Sequence, residues 1–206
     1  MIQSGKFDSS NMDIKKLANS VLIFTIKRII EIIGIIIFSL GILLFLTLVS
    51  YSPSDPNFIF PENTKINNLL GFQGSYVSDL FFQSLGLIAY LIPLTYIFTG
   101  INIFKEKELL LLIENTFFII LFSLFGSLFF SFFYNNAFTL FINGNGGFVG
   151  SYLASIFQLT FINTYENIFY YLLIILIILF FFKSINFNIK NFTKSCEKII
   201  KIILNK

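Results

Sequence analysis

The sequence predicts an all-α integral membrane protein: four transmembrane helices as two repeated hairpins, each with a short amphipathic helix before its second span. Three observations predict it. Only 12% of the 206 residues are charged and 56% are hydrophobic, with a mean hydropathy of +0.83; a soluble domain carries about 25% charged residues. The apolar residues fall into four long runs. A thirteen-residue motif also recurs 76 residues downstream.

Residues 1–28 form a basic amino-terminal segment holding Lys6, Lys15, Lys16, Lys27 and Arg28. The first apolar run, Ile29–Ser50, is broken only by Glu31. It is longer than a signal-peptide core and no Ala-x-Ala-like site follows, so it reads as a retained span. The second run is about Leu85–Phe104, and the third is Ile113–Tyr134 with Glu114 at its edge. The fourth ends at Phe182 and starts between Phe161 and Ile168, where Asn163, Glu166 and Asn167 interrupt it. Each approaches the ~20 residues that cross the hydrocarbon as a helix. The membrane domain is therefore 29–182, followed by a basic juxtamembrane tail, 183–206.

Charge sets the orientation. Thirteen of the fourteen Lys and Arg lie in the two terminal segments and the loop near 102–112; only Lys65 lies in the two other loops. Basic residues stay in the cytoplasm. Both termini are expected there, with outer loops at 51–74 and 135–149.

The repeat pairs Gly71–Gln83 (GFQGSYVSDLFFQ) with Gly147–Leu159 (GFVGSYLASIFQL), matching at the Gly, Phe, Gly, Ser and Tyr positions and at Phe81/Phe157. Each copy follows an outer loop and precedes an inward-going span. Ser75, Asp79 and Gln83 recur every four residues and make one polar face. Ser151, Ser155 and Gln158 make a similar stripe in the second copy. Such helices lie at the interface, dip in and return, or simply begin a long tilted span; the pattern leaves these open.

Small residues mark packing faces: Gly34 and Gly41 on the first span, and Ser123, Ser127 and Ser131 with Gly126 on the third. Packing within the bundle is the preferred reading. The 30 Phe are spread over every apolar run and read as lipid-facing filling.

The chemistry is narrow. There is no His and a single Cys, Cys196, read as a passive thiol. No His/Cys metal cluster, Ser-His dyad or disulfide framework can be built from that set. No Gly-x-x-x-x-Gly-Lys-Ser/Thr loop is present, and Gly144–Gly147 (GNGG) reads as a turn. No cofactor is expected. Asp79, Glu114 and Glu166 are the acidic candidates near the membrane, each with a solvated-edge reading beside the functional one.

Ser50–Pro56 reads SYSPSDP, a stiff polar turn where the first span leaves the membrane. It resembles the first outer loop of the membrane domain of FtsK/SpoIIIE-type DNA translocases. Asn68–Gly100, with its Leu-Gly-x-x-Gly entry, Asp79, Gly86 and Pro93, is similar to that family's second-span region. Gly144–Gly150 is similar to its third-to-fourth junction. The resemblance covers about Ile29–Phe182. It implies an inner-membrane anchor and scaffold at the division septum, in contact with other division proteins. The family's motor is hexameric, which implies a homo-oligomer, and it touches DNA only through that motor, which is absent from these 206 residues. Pro53, Asp55 and Pro56 are the first candidates for partner contact, with a rigid turn as the competing reading.

Two other functions compete. A small transporter or channel fits four spans and a repeat, but the spans offer few polar groups to line a path. An intramembrane enzyme needs a nucleophile with a base, or a metal, and no such pairing is recognisable.

In the tail, Ile189, Phe192, Cys196, Ile199, Ile200 and Ile203 recur at roughly helical spacing among Lys. This pattern predicts a basic amphipathic helix on the inner leaflet. Replacing the Lys of a tail peptide with Gln should weaken its binding to anionic vesicles; unchanged binding would sink the idea.

Overall fold

The computed structural model describes residues 4–56, 65–134, 143–156 and 165–187, with side chains from Lys16 onward. Regular structure in these segments is helical throughout. The predicted tail helix, Cys196, Gln158, and residues 57–64 and 135–142 of the two outer loops lie outside the described residues.

Helix α1 runs Ser4–Val49, 46 residues. It starts far upstream of the apolar run because neither Gly nor Pro interrupts residues 6–33. It stops at Ser50, just ahead of the Pro53 turn. Helix α2 is Gly71–Leu85. A 3₁₀ segment, Gly86–Tyr90, joins it to α3, Leu91–Glu106. Pro93 explains that segment: it lacks an N–H to donate, and its ring clashes with the carbonyl four residues back, at Ala89. Helix α4 is Leu110–Phe133, α5 is Gly147–Ile156 and α6 is Glu166–Ser184.

Among the described residues, four stretches are long and apolar enough to cross a membrane: Lys16–Val49, Gly71–Glu106, Leu110–Phe133 and Glu166–Ser184. They cover the four predicted runs, ending one residue short at Ser50 and at Tyr134. The second is broken. Gly86 adopts φ 74° and ψ −151°, which no regular helix passes through, so α2 and α3 are not one straight tilted span.

Helices α1 and α3 cross with backbones nearly touching. A Cβ added to Gly34 would lie 2.9 Å from the Gly100 carbonyl oxygen, and one on Gly41 would lie 2.8 Å from the Ile97 nitrogen. From the other side, a Cβ on Gly100 would lie 2.6 Å from the Gly34 carbonyl oxygen. Lipid gives no hydrophobic drive between helices, so close van der Waals contact holds this pair.

The seam between α4 and α6 is aromatic. Phe122 meets Phe181 at 5.7 Å between ring centroids, Phe125 stacks on Phe180 at 5.7 Å, and Phe129 meets Tyr170 at 5.2 Å. Leu173 is sealed inside the same cluster. Many Phe therefore pack helix on helix, where the sequence suggested lipid-facing filling; rings at 4.5–7 Å gain beyond their buried area.

Buried polar side chains stitch α3 to its neighbours. Asn115 of α4 donates to Thr99 at 2.8 Å, and Thr95 shares a hydrogen bond with Ser184 of α6 at 3.0 Å. At the basic end of the bundle Glu31 pairs with Arg28 and, at 2.8 Å, with Lys107. Lys107 sits left-handed at φ 60° and closes α3, which aims its ammonium at α1. Glu31, which interrupts the first run, is thereby a tie between α1 and the α3–α4 turn. Glu114 and Glu166 are exposed.

Gly100→Leu should force α1 and α3 apart. Overpacking a tight contact costs about 1–3 kcal/mol, so the detergent-solubilised chain should melt at a clearly lower temperature; an unchanged melting curve would contradict the close crossing.

Candidate functional site

The predicted outer turn closes on itself. Asp55 is only 2% exposed. Its Oδ1 accepts from the Asn67 backbone N–H at 2.9 Å and from the Asn67 side-chain amide at 3.1 Å, and its Oδ2 accepts from the Asn68 N–H at 2.8 Å. Pro56 is fully buried, and its carbonyl accepts from the Ser75 hydroxyl at 2.7 Å. Pro53 and Ser54 face outward. Of the three residues singled out for partner contact, Pro53 is thus accessible, while Asp55 and Pro56 build the turn.

Asn68 was not singled out in the sequence, yet it organises this corner. It is 5% exposed, its amide nitrogen donates to the Thr47 carbonyl at 2.9 Å, and its Oδ1 accepts from the Leu70 N–H at 3.1 Å. It thus caps the last turn of α1 and opens α2, meeting backbone groups that a helix end leaves unpaired. The Ser50 hydroxyl accepts from the Leu69 N–H at 3.1 Å.

The polar face of α2 packs under this loop. Ser75 reaches Pro56, as above. Asp79 accepts from the Tyr51 hydroxyl at 3.2 Å and from the Gln83 amide at 3.4 Å. Burial, then the neighbouring Asp79 carboxylate, push the Tyr51 phenol above its usual value. Gln83 Oε1 in turn accepts from Asn143 at 3.3 Å, across the bundle. So Ser75, Asp79 and Gln83 form one stripe, with Asp79 and Gln83 bonded to each other, and each meets protein partners.

The helix break at Gly86 is filled by the loop before α5. The Leu87 N–H donates to the Asn145 carbonyl at 2.9 Å, the Ser127 hydroxyl donates to the Leu85 carbonyl at 2.7 Å, and Asn143 donates to the Gln83 carbonyl at 3.2 Å. A Cβ on Gly86 would collide with the Asn145 carbonyl. The Asn145 side chain, fully buried, donates to the Tyr134 carbonyl at the end of α4. The small face of α4 receives this loop: a Cβ on Gly146 would lie 2.5 Å from the Ser127 carbonyl oxygen and 2.7 Å from Ser131 Cβ. Ser123, one turn earlier on that face, is buried. The GNGG turn is therefore a plug. The second copy of the repeat meets the residues just after the first here, since Gly147, opening the second, would crowd the Ser84 carbonyl and the Gly86 nitrogen if it carried a Cβ. Gly71 and Gly147, at matching positions, both have φ 65°. Phe157 and Leu159 of the second copy lie outside the described residues.

Among the described residues, no three His, Cys, Asp or Glu side chains come together as a metal site would require. What the arrangement can do is hold a rigid, hydrogen-bonded cap over one end of a helix bundle.

Comparison with known proteins matches residues 26–195 to the 4TM region of DNA translocase FtsK/SpoIIIE. The chain belongs to that family. The FtsK/SpoIIIE match takes in all four spans and both halves of the interlock at Gly86. Similar relatives are DNA translocases FtsK from Rickettsia bellii, 38% identical over 36% of this chain, and from Azospirillum brasilense, 33% identical over 41%. The matched stretches span 10% and 14% of those relatives' own lengths. No solved structure matches. This FtsK/SpoIIIE-type chain is thus a multi-pass membrane protein carrying the family's membrane region.

Gly86→Ala should be severe. Backbone in a region open only to glycine costs of order 1–3 kcal/mol, and the added methyl would also expel Asn145. The expected result is a large loss of thermal stability in detergent together with easier proteolysis in the 143–147 loop; a variant as stable and as resistant as the parent would refute the interlock.

Proposed function

We propose that this chain is the inner-membrane anchor and scaffold of a septal DNA translocase, acting in cell division and chromosome segregation. The observation that carries the reading is the family match over residues 26–195, the region that this family places in the membrane. Thirteen of fourteen basic residues on one side support an orientation with both termini in the cytoplasm, where a motor would be attached. The relatives named as DNA translocases are far longer than the matched stretches. DNA pumping is therefore the work of a motor domain, and these residues supply its attachment.

The cap geometry favours a scaffold. Asp55, Asn68, Tyr51 and Asp79 hydrogen-bond to one another, to the backbone and to Asn67, Ser78 and Gln83. Such a cap presents a fixed outer surface, with Pro53 and Ser54 outward, to other division-site membrane proteins. Assembly into a homo-oligomer would gather several anchors beneath one motor ring.

Live imaging of residues 1–206 with a fluorescent protein at the carboxyl end should show a band at mid-cell in a dividing bacterium. Uniform membrane fluorescence from an intact fusion would overturn the septal role and leave the membrane assignment standing.

A further inference from the structure

Helix α2 lies across the end of α1. Its Asp79 and Phe82 both meet Tyr51, the latter at 4.7 Å between ring centroids, and Ser78 comes within 3.5 Å of the Asn68 amide that caps α1. Phe81, Phe82 and Leu85 also pack against Leu44 and Leu48, so successive turns of α2 touch only the last turns of α1 and the turn beyond it, where a helix running beside it would climb along it. The side of α2 away from the polar stripe overhangs an apolar cavity of about 720 Å³. Leu40, Leu43 and Leu44 of α1 form its wall, Val77 and Phe81 of α2 its roof, and Tyr96 of α3 its back.

Depth decides what can fill it. Between Glu31 and Val49, α1 climbs about 27 Å at 1.5 Å per residue, close to the ~30 Å hydrocarbon thickness. Ile37 and Leu40 lie at or just before the midpoint of that stretch and Leu43, Leu44 and Thr47 beyond it, so the cavity lies mostly in the acyl region of the leaflet that holds α2. Apart from Tyr96 at its back, the polar side chains that line it are Thr47 and Gln73. The Thr47 hydroxyl is already bonded to the Leu43 carbonyl at 2.7 Å, while Gln73 on α2 is exposed. The roof excludes a membrane-crossing helix of a second copy, because a rod about 10–12 Å wide entering here would run into α2. A flexible chain entering from below meets no such obstacle. The volume also falls within the roughly 300–1,000 Å³ of small-molecule sites.

We propose that this cavity is a lipid site. It holds one acyl chain of a phospholipid from that leaflet, with the ester and phosphate oxygens at the Gln73 amide.

The sequence has no Trp, so an introduced indole is a unique plug and reporter. Native mass spectrometry of the full chain, released from detergent with added dioleoyl phosphatidylglycerol, should show one retained lipid. Val77→Trp should reduce retention about tenfold, equivalent to ~1.4 kcal/mol of lost contact. Ile175→Trp, on the exposed face of α6, should leave it unchanged. If Val77→Trp loses its helical circular dichroism, Leu43→Trp fills the cavity from the half-exposed wall of α1 and should give the same loss. The proposal is overturned by equal retention in cavity-filled and Ile175→Trp chains, or by no retained lipid in the parent. A dimer signal abolished by the cavity-filling variant would also overturn it, assigning the cavity to a second copy.

Discussion

Everything at the end of this bundle away from Glu31 depends on how a broken backbone is satisfied in or beside lipid. A bilayer supplies no water to an exposed amide or carbonyl, so a span can be interrupted only where protein replaces the missing partners. At Gly86 they come from three places: the Asn145 carbonyl, the Ser127 hydroxyl and the Asn143 side chain. All three belong to α4 or to the loop that follows it. The first half of the chain therefore completes its second span only by borrowing from the second half. Two hairpins that look independent in sequence become one cooperative unit.

The same logic runs through the remaining contacts. Asn68 finishes α1 and starts α2, Asp55 pins the loop between them, and the 3₁₀ segment accommodates Pro93. At the other end Glu31 and Lys107 join α1 to the α3–α4 turn. Between these ends, glycine contact on the α1–α3 side and ring stacking on the α4–α6 side fill the middle. Polar chemistry locks the two ends, and close packing holds the length.

Much of the architecture was legible because composition and run length report directly on a membrane. Four spans emerged where the four apolar runs lie, since a run such as Ile113–Tyr134 has few other fates, although the first two begin well upstream of their runs, at Lys16 and Gly71. The start of α1 at Ser4 was not legible, because hydropathy marks where a helix enters lipid and says nothing about where helix formation begins. The role of the Phe was underestimated because a ring facing lipid and a ring facing another helix have the same sequence signature. The hydrogen-bonded cap was only partly visible. The stripe Ser75, Asp79, Gln83 stood out through its spacing of four. Asn68, Asn143 and Asn145 did not, because each bonds to groups far away in the chain and leaves no periodic trace. The available signal at Gly86 was its place seven residues before Pro93, a glycine and a proline together inside one apolar run.

The length of α1 carries a mechanical consequence. It is one uninterrupted helix of 46 residues, about 69 Å at 1.5 Å per residue, more than twice the ~30 Å hydrocarbon thickness. Its near end lies among the basic residues that precede the first apolar run, and its far end is clamped by Asn68 beneath the outer turn. No loop lies between them to absorb a twist. A torque applied to residues 4–28 is delivered to Tyr51 and the turn beyond it, so the two faces of the membrane are connected by a stiff shaft.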